Sequence, residues 1–200
     1  MERTHSLKSA RLVTAVGVGA ASGVVLPALF HAVGLGPVFL PMHLPVLVAG
    51  AVAGWQAGLL CGVGLPWLNH LLTGSPPLVP PVAPLMSVEL ATYGTAAGVL
   101  RPWFTRAAAE PRLNPLEGWA REVGWLLATL LVGRVALGLA AVALGPALGL
   151  RVPPAVYVWS ALVTGAPGIA LQVVSVPVVV GRLSAGPKRE HPMQKQARKE

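Results

Sequence analysis

The chain has 200 residues, 54% of them hydrophobic and only 11% charged, with a net charge of +8 and no Asp at any position. A soluble domain of this size needs about a quarter of its residues charged to cover its surface, so a water-soluble globular fold is excluded. The basic excess does not mark a nucleic-acid binder either: Lys and Arg flank apolar segments, and no basic patch carries interleaved aromatic residues.

No Asp, Glu, Lys or Arg lies between Arg11 and Glu89. A second uncharged stretch runs from Val152 to Gly181, and Arg134 is the one charge between Val123 and Leu150. These stretches far exceed the roughly 20 apolar residues that one bilayer crossing needs. They predict an all-α, polytopic integral membrane protein. The basic start (Arg3, Lys8, Arg11) resembles that of a secretory signal, but no polar mature domain follows it, so residues 10–33 read as the first span.

Pro and Gly clusters divide the rest. Gly34-Leu35-Gly36-Pro37 closes the first span, and a short second span, about 43–54, opens at Pro41-Met42-His43-Leu44-Pro45. Proline is tolerated in a first helical turn, where its missing N–H costs nothing. The third span, about 56–73, ends at Gly74-Ser75-Pro76-Pro77, and the fourth covers about 83–103. A polar loop rich in Arg and Glu leads to the fifth, about 119–148, and the sixth covers about 154–183. Residues 1–9 form a cytoplasmic segment and 184–200 a solvated, disordered basic tail. With the N-terminus inside, every Lys and Arg except Arg134 and Arg151 falls on the cytoplasmic side. That asymmetry favours an even number of spans: a bundle of six transmembrane helices, multi-pass in the plasma membrane, with N- and C-termini cytoplasmic.

The motifs needed for several chemistries are missing. There is no GxxxxGK[ST] phosphate loop, no HExxH and no CxxC, so neither ATP hydrolysis nor a zinc site is expected. Without Asp, an aspartate triad or dyad is excluded, and nothing in the spacing assembles Ser87 or Ser160 with His43 or His70. No catalytic residue, metal or cofactor is expected. Cys61, alone in an apolar segment, reads as a small buried residue.

Polar groups inside apolar spans are costly and usually face a cavity or a partner. Glu89 and Tyr93, at i and i+4, share one face of the fourth span, and Arg134 sits mid-way along the fifth. Trp67, Asn69, His70 and Thr73 gather at the outer end of the third. His31, His43, Tyr157 and Trp159 lie at the outer ends of other spans. Two readings stay open for each. Glu89 and Arg134 either pair with each other or meet a ligand, and the histidines and aromatics either line a pocket or form an interfacial belt. Gln172 reads as an interhelical hydrogen bond. The small residues Ala15, Gly19 and Gly23, with Gly17 and Ala21 between them, let a helix approach closely, inside the bundle or from a separate subunit. The Pro/Gly-rich outer connections, 34–40 and 74–82, are either ordinary turns or loops folded over a pocket.

Three stretches together resemble the substrate-binding S components of energy-coupling factor (ECF) transporters, over roughly residues 10–183. They are Leu40-Pro41-Met42-His43-Leu44-Pro45-Val46-Leu47 with Gly54 and Gly58; Leu72-Thr73-Gly74-Ser75-Pro76-Pro77 with Glu89-Leu90-Ala91-Thr92-Tyr93-Gly94; and residues 164–173, TGAPGIALQV. The resemblance implies capture of a vitamin or related micronutrient in an outward pocket. It further implies assembly with a transmembrane coupling subunit and two cytoplasmic ATPase subunits, with Ala15, Gly19 and Gly23 as the docking face. The substrate stays open, because the pocket motifs of riboflavin, biotin and thiamine members are not placed in this sequence. The expected binding residues are His43, Trp67, Asn69, His70, Glu89, Tyr93 and Arg134, with Arg134 receiving a carboxylate and Trp67 or Tyr93 offering a stacking surface. A stand-alone secondary transporter, an intramembrane enzyme and a purely structural subunit are the other readings.

Overall fold

In the computed structural model, which describes residues 2–106 and 114–184, every regular element is a helix. The tail beyond Ser184 and the middle of the polar loop, 107–113, lie outside the described residues. Seven helices follow in order: α1 Glu2–Ala32, the single-turn α2 Gly36–Phe39, α3 His43–Ala53, α4 Trp55–Thr73, α5 Val82–Arg106, α6 Pro115–Ala143 and α7 Pro154–Ser184.

Glycine punctuates the chain where the turns need it. Gly54, which joins α3 to α4, and Gly74, which ends α4, have φ of +100° and +73°, and the Gly74 N–H donates to the His70 carbonyl. The sixth helix departs from the expected 119–148 at both ends. Asn114 caps its start by accepting from the Leu116 N–H, with Pro115 in the first turn. Its end comes at Ala143, because Pro146 lacks the N–H needed to continue the ladder and disfavours helix in the residue before it.

Helix α5 is the hub, packed against α3, α4 and α6, and α3 also touches α1 and α7. The approach of α3 and α4 to α5 is made by glycine. A Cβ on Gly58 would overlap the Gly94 backbone, one on Gly94 would overlap Gly58, and one on Gly50 would meet the Gly94 carbonyl. Such small-residue seams are how helices associate where lipid removes the hydrophobic drive between them. Around the seam, Val46, Leu47, Leu65, Leu90, Tyr93, Trp125, Leu126 and Val176 form the main buried cluster.

The outside of the bundle is as apolar as the inside. Val13, Val25, Leu131, Leu139, Val163 and Val174 are all more than half exposed. A continuous surface of this kind is stable only against lipid or another apolar partner. Residues 9–32, 116–143 and 154–184 are each long and apolar enough to cross a membrane. The protein is an all-helical membrane bundle.

Candidate functional site

A cavity of about 320 Å³ opens at one end of the bundle. Its walls are the C-terminal end of α1, the N-terminal ends of α3, α5 and α7, and the C-terminal half of α6. Leu40, Met42, Met86 and Leu137 supply an apolar lining, and Ser160 and Thr164 of α7 add hydroxyls. Leu40, between α2 and α3, holds a left-handed backbone at φ 49°, a conformation uncommon for a residue with a side chain. Its side chain lies against Gly165 of α7, and α2 reaches α7 so closely that a Cβ on Gly168 would overlap the Phe39 carbonyl. This packing folds the connection between α1 and α3 over the cavity.

The polar wall is an ion pair. Arg134 Nη1 lies 2.9 Å from Glu89 Oε1, with side chains only 12% and 5% exposed. Tyr93, one turn beyond Glu89, donates its hydroxyl to the same Oε1 at 2.9 Å. The Tyr93 ring lies 5.5 Å from the His43 ring, centroid to centroid, and Gly133 of α6 makes room for it. Three helices therefore fix the carboxylate and guanidinium. Among the described residues, Arg134 Nε and Nη2 and both ring nitrogens of His43 have no hydrogen-bond partner although buried. Unpaired polar atoms in a desolvated place are expensive, and these four belong to residues on the cavity wall.

The opposite end of the bundle is stapled shut. Arg101 of α5 makes two hydrogen bonds to Glu122 of α6, Nε to Oε2 at 3.3 Å and Nη2 to Oε1 at 3.1 Å. Its Nη1 donates to the Ala51 carbonyl of α3. The Trp125 indole N–H also donates to Glu122, so α3, α5 and α6 are tied at the end away from the cavity. Arg11 of α1 reaches the same end by donating to the Val52 carbonyl.

The remaining residues singled out in the sequence go elsewhere. Trp67 is 42% exposed on α4 and does not line the cavity. Asn69 donates to the carbonyls of Gly23 and Leu65, and His70 bonds the Pro76 carbonyl through Nδ1. Asn69 borders a smaller cavity with His31, Thr73 and Ser75. Gly19 and Gly23 are buried, each in space that a Cβ would share with Cys61 and Leu65 of α4, respectively. Ala15 and Gly19 also border an apolar groove between α1, α3 and α7. Ser160, far from completing a dyad, donates to the Tyr157 carbonyl of its own helix. Met42, Met86 and Leu137 were not singled out as binding residues, because an apolar lining residue carries no polar signal that sets it apart from core.

Against known families, the model of the ECF transporter, substrate-specific component, matches residues 11–180. The chain belongs to that family. No individual curated protein and no solved structure matches it. As an ECF substrate-specific component it is a membrane protein of a transport system, in a family of substrate-binding subunits rather than enzymes. The match runs from the start of the apolar part of α1 almost to the end of α7, so the cavity lies wholly within the family region.

Proposed function

We propose that this ECF substrate-specific component captures a vitamin-like micronutrient from outside the cell in the cavity bounded by His43, Glu89 and Arg134. It passes the solute inward with a membrane coupling subunit and two cytoplasmic ATPase subunits. In this reading the chain crosses the plasma membrane six times with both ends cytoplasmic. The stapled end, carrying Arg11, Arg101 and Arg121, faces the cytoplasm, and the cavity faces out. Helix α3, with 11 residues, is only about 16 Å long at 1.5 Å per residue. That is roughly half of the 30 Å hydrocarbon core. The missing half of this span is where the cavity sits. The groove that Ala15 and Gly19 border is where the coupling subunit would approach α1.

One observation carries the reading: within a membrane bundle, a desolvated ion pair and an unpartnered imidazole face a cavity of small-molecule size. The test is purification of the tagged full chain from its native membrane, with mass spectrometry of everything that accompanies it. An ATPase pair, a second membrane protein and a small molecule are expected. Solute transport by the chain alone in liposomes would replace this reading with that of a secondary transporter.

A further inference from the structure

The charge balance of the cavity narrows what it holds. Arg134 is already neutralised by Glu89 at 2.9 Å, and both groups are almost fully desolvated. A carboxylate ligand would bring an unmatched negative charge into a site of no net charge, or would have to displace Glu89 and leave it buried and unpaired. Either is costly in a low-dielectric interior. The expectation that Arg134 receives a carboxylate is therefore disfavoured by the partner the fold has given it.

What the pair still offers is one acceptor and one donor side by side. Tyr93 donates to Oε1 of Glu89, which Arg134 Nη1 also meets as an ion pair, and among the described residues Oε2 takes no hydrogen bond. On the other partner, Nη1 makes the ion pair while Nη2 and Nε have no acceptor. Oε2 and the unused guanidinium N–H groups are joined, through Cδ and Cζ, to the two atoms of that 2.9 Å contact. Gly165 of α7 lies beside Nη2: a Cβ there would stand 3.6 Å from it and would overlap the Leu40 side chain. An ammonium group would bring an unmatched positive charge into a site of no net charge, as a carboxylate would a negative one. A single N–H next to a single C=O needs no more than is present.

Resting on the cavity being the substrate site, we propose that the substrate is net-uncharged and presents a cis-amide edge, a ring N–H beside a ring C=O. The N–H donates to Glu89 Oε2 and the carbonyl accepts from Arg134. The ring lies against the apolar wall of Met42, Met86 and Leu137, with the His43 imidazole as a further directional contact.

The test is saturation-transfer NMR on the full chain in lipid nanodiscs with four water-soluble probes: 2-pyridone, N-methyl-2-pyridone, benzoate and phenylalanine. Ala161→Phe, which puts a bulky side chain into the cavity from a wall residue outside the ion pair, gives the background. Above that background, 2-pyridone is expected to bind at least about tenfold better than N-methyl-2-pyridone, the factor one lost hydrogen bond to a charged group represents. It is also expected to outbind benzoate and phenylalanine. In Glu89→Gln the cavity becomes cationic, and preference is expected to switch toward benzoate. Benzoate or phenylalanine as the best wild-type probe, with binding lost in Ala161→Phe, overturns the cis-amide assignment and leaves the cavity as the site. Binding of all four probes that is indifferent to Ala161→Phe overturns both. Should Glu89→Gln fail to fold, the wild-type ranking against Ala161→Phe still decides.

Discussion

Asn69 shows how a single polar side chain in a membrane helix can be fully explained without a ligand. Pro27 sits inside α1 and has no N–H, so the carbonyl four residues before it, Gly23, loses its helical donor. Asn69 Nδ2 of α4 supplies the missing bond at 2.9 Å, buried between the two helices. In lipid an orphaned carbonyl has no water to turn to. Asn69→Leu is therefore expected to destabilise the bundle by about 1–3 kcal/mol. Pro27→Ala, by restoring the N–H, should recover much of that loss in the double variant. Thermal unfolding of the four proteins in detergent, read as a double-mutant cycle, checks it, and purely additive effects would show that the Asn69 bond does not compensate for Pro27. The same logic explains what the sequence made legible at this scale. Glu89 and Tyr93 are read onto one face because they share a helix, and the structure joins them through a hydrogen bond. That Arg134 pairs with Glu89 depends on α6 lying beside α5, which no local spacing states. Asn69 carried the same polar signal as Glu89, and only its neighbour across the helix interface tells the two apart.

Helix ends were legible for a simple reason: Gly54, Gly74 and the Pro-rich connections break helices by backbone chemistry alone. Which faces meet was not legible, because small residues permit close approach without naming a partner. The α1 series Ala15, Gly19, Gly23 drew notice in the sequence, and the structure puts Gly19 and Gly23 against Cys61 and Leu65 of α4. The tighter seam is elsewhere, where Gly58 and Gly94 bring the α4 and α5 backbones together with no room for a methyl on either. Gly58→Ala must push two helices apart, and because the obstructing atoms are backbone rather than a flexible side-chain end, no rotamer change relieves it. We expect a loss at or above the upper end of the roughly 1–3 kcal/mol typical of overpacking. Gly17, two residues before Gly19 in α1 but facing open space, should behave oppositely. Gly17→Ala is expected to be neutral or to stabilise by up to about 1 kcal/mol through helix propensity. Comparing melting temperatures and folded yield of the two variants in one detergent tests the assignment, and equal effects would contradict it.

The molecule as a whole has two unlike ends, and the difference bears directly on its orientation. At one end Arg101, Glu122, Trp125 and the Ala51 carbonyl tie three helices together; at the other, the helices part around the cavity. The sequence carried this polarity through its charges, since positive residues concentrate at the tied end and the uncharged Pro/Gly connections at the open one. It could not show that α3 begins at the cavity wall and runs only from there to the tied end, because that depends on how α2 folds back onto α7. If positive charge sets orientation, the open end faces out, and a labelling experiment follows. Cys61 is the chain's single cysteine and is buried, so Cys61→Ala gives a background free of thiols. Val79, 84% exposed in the connection between α4 and α5, lies at the open end, and Leu116, 72% exposed at the start of α6, lies at the tied end. On intact cells a membrane-impermeant maleimide is expected to label Val79→Cys, and to label Leu116→Cys only after permeabilisation. Six crossings with both termini inside require both results together. The reverse pattern would turn the cavity toward the cytoplasm, and a receptor for an outside solute could not then work from it. Labelling of both sites on intact cells would mean an even number of crossings between them, replacing the α5 span with a segment that returns to the same side.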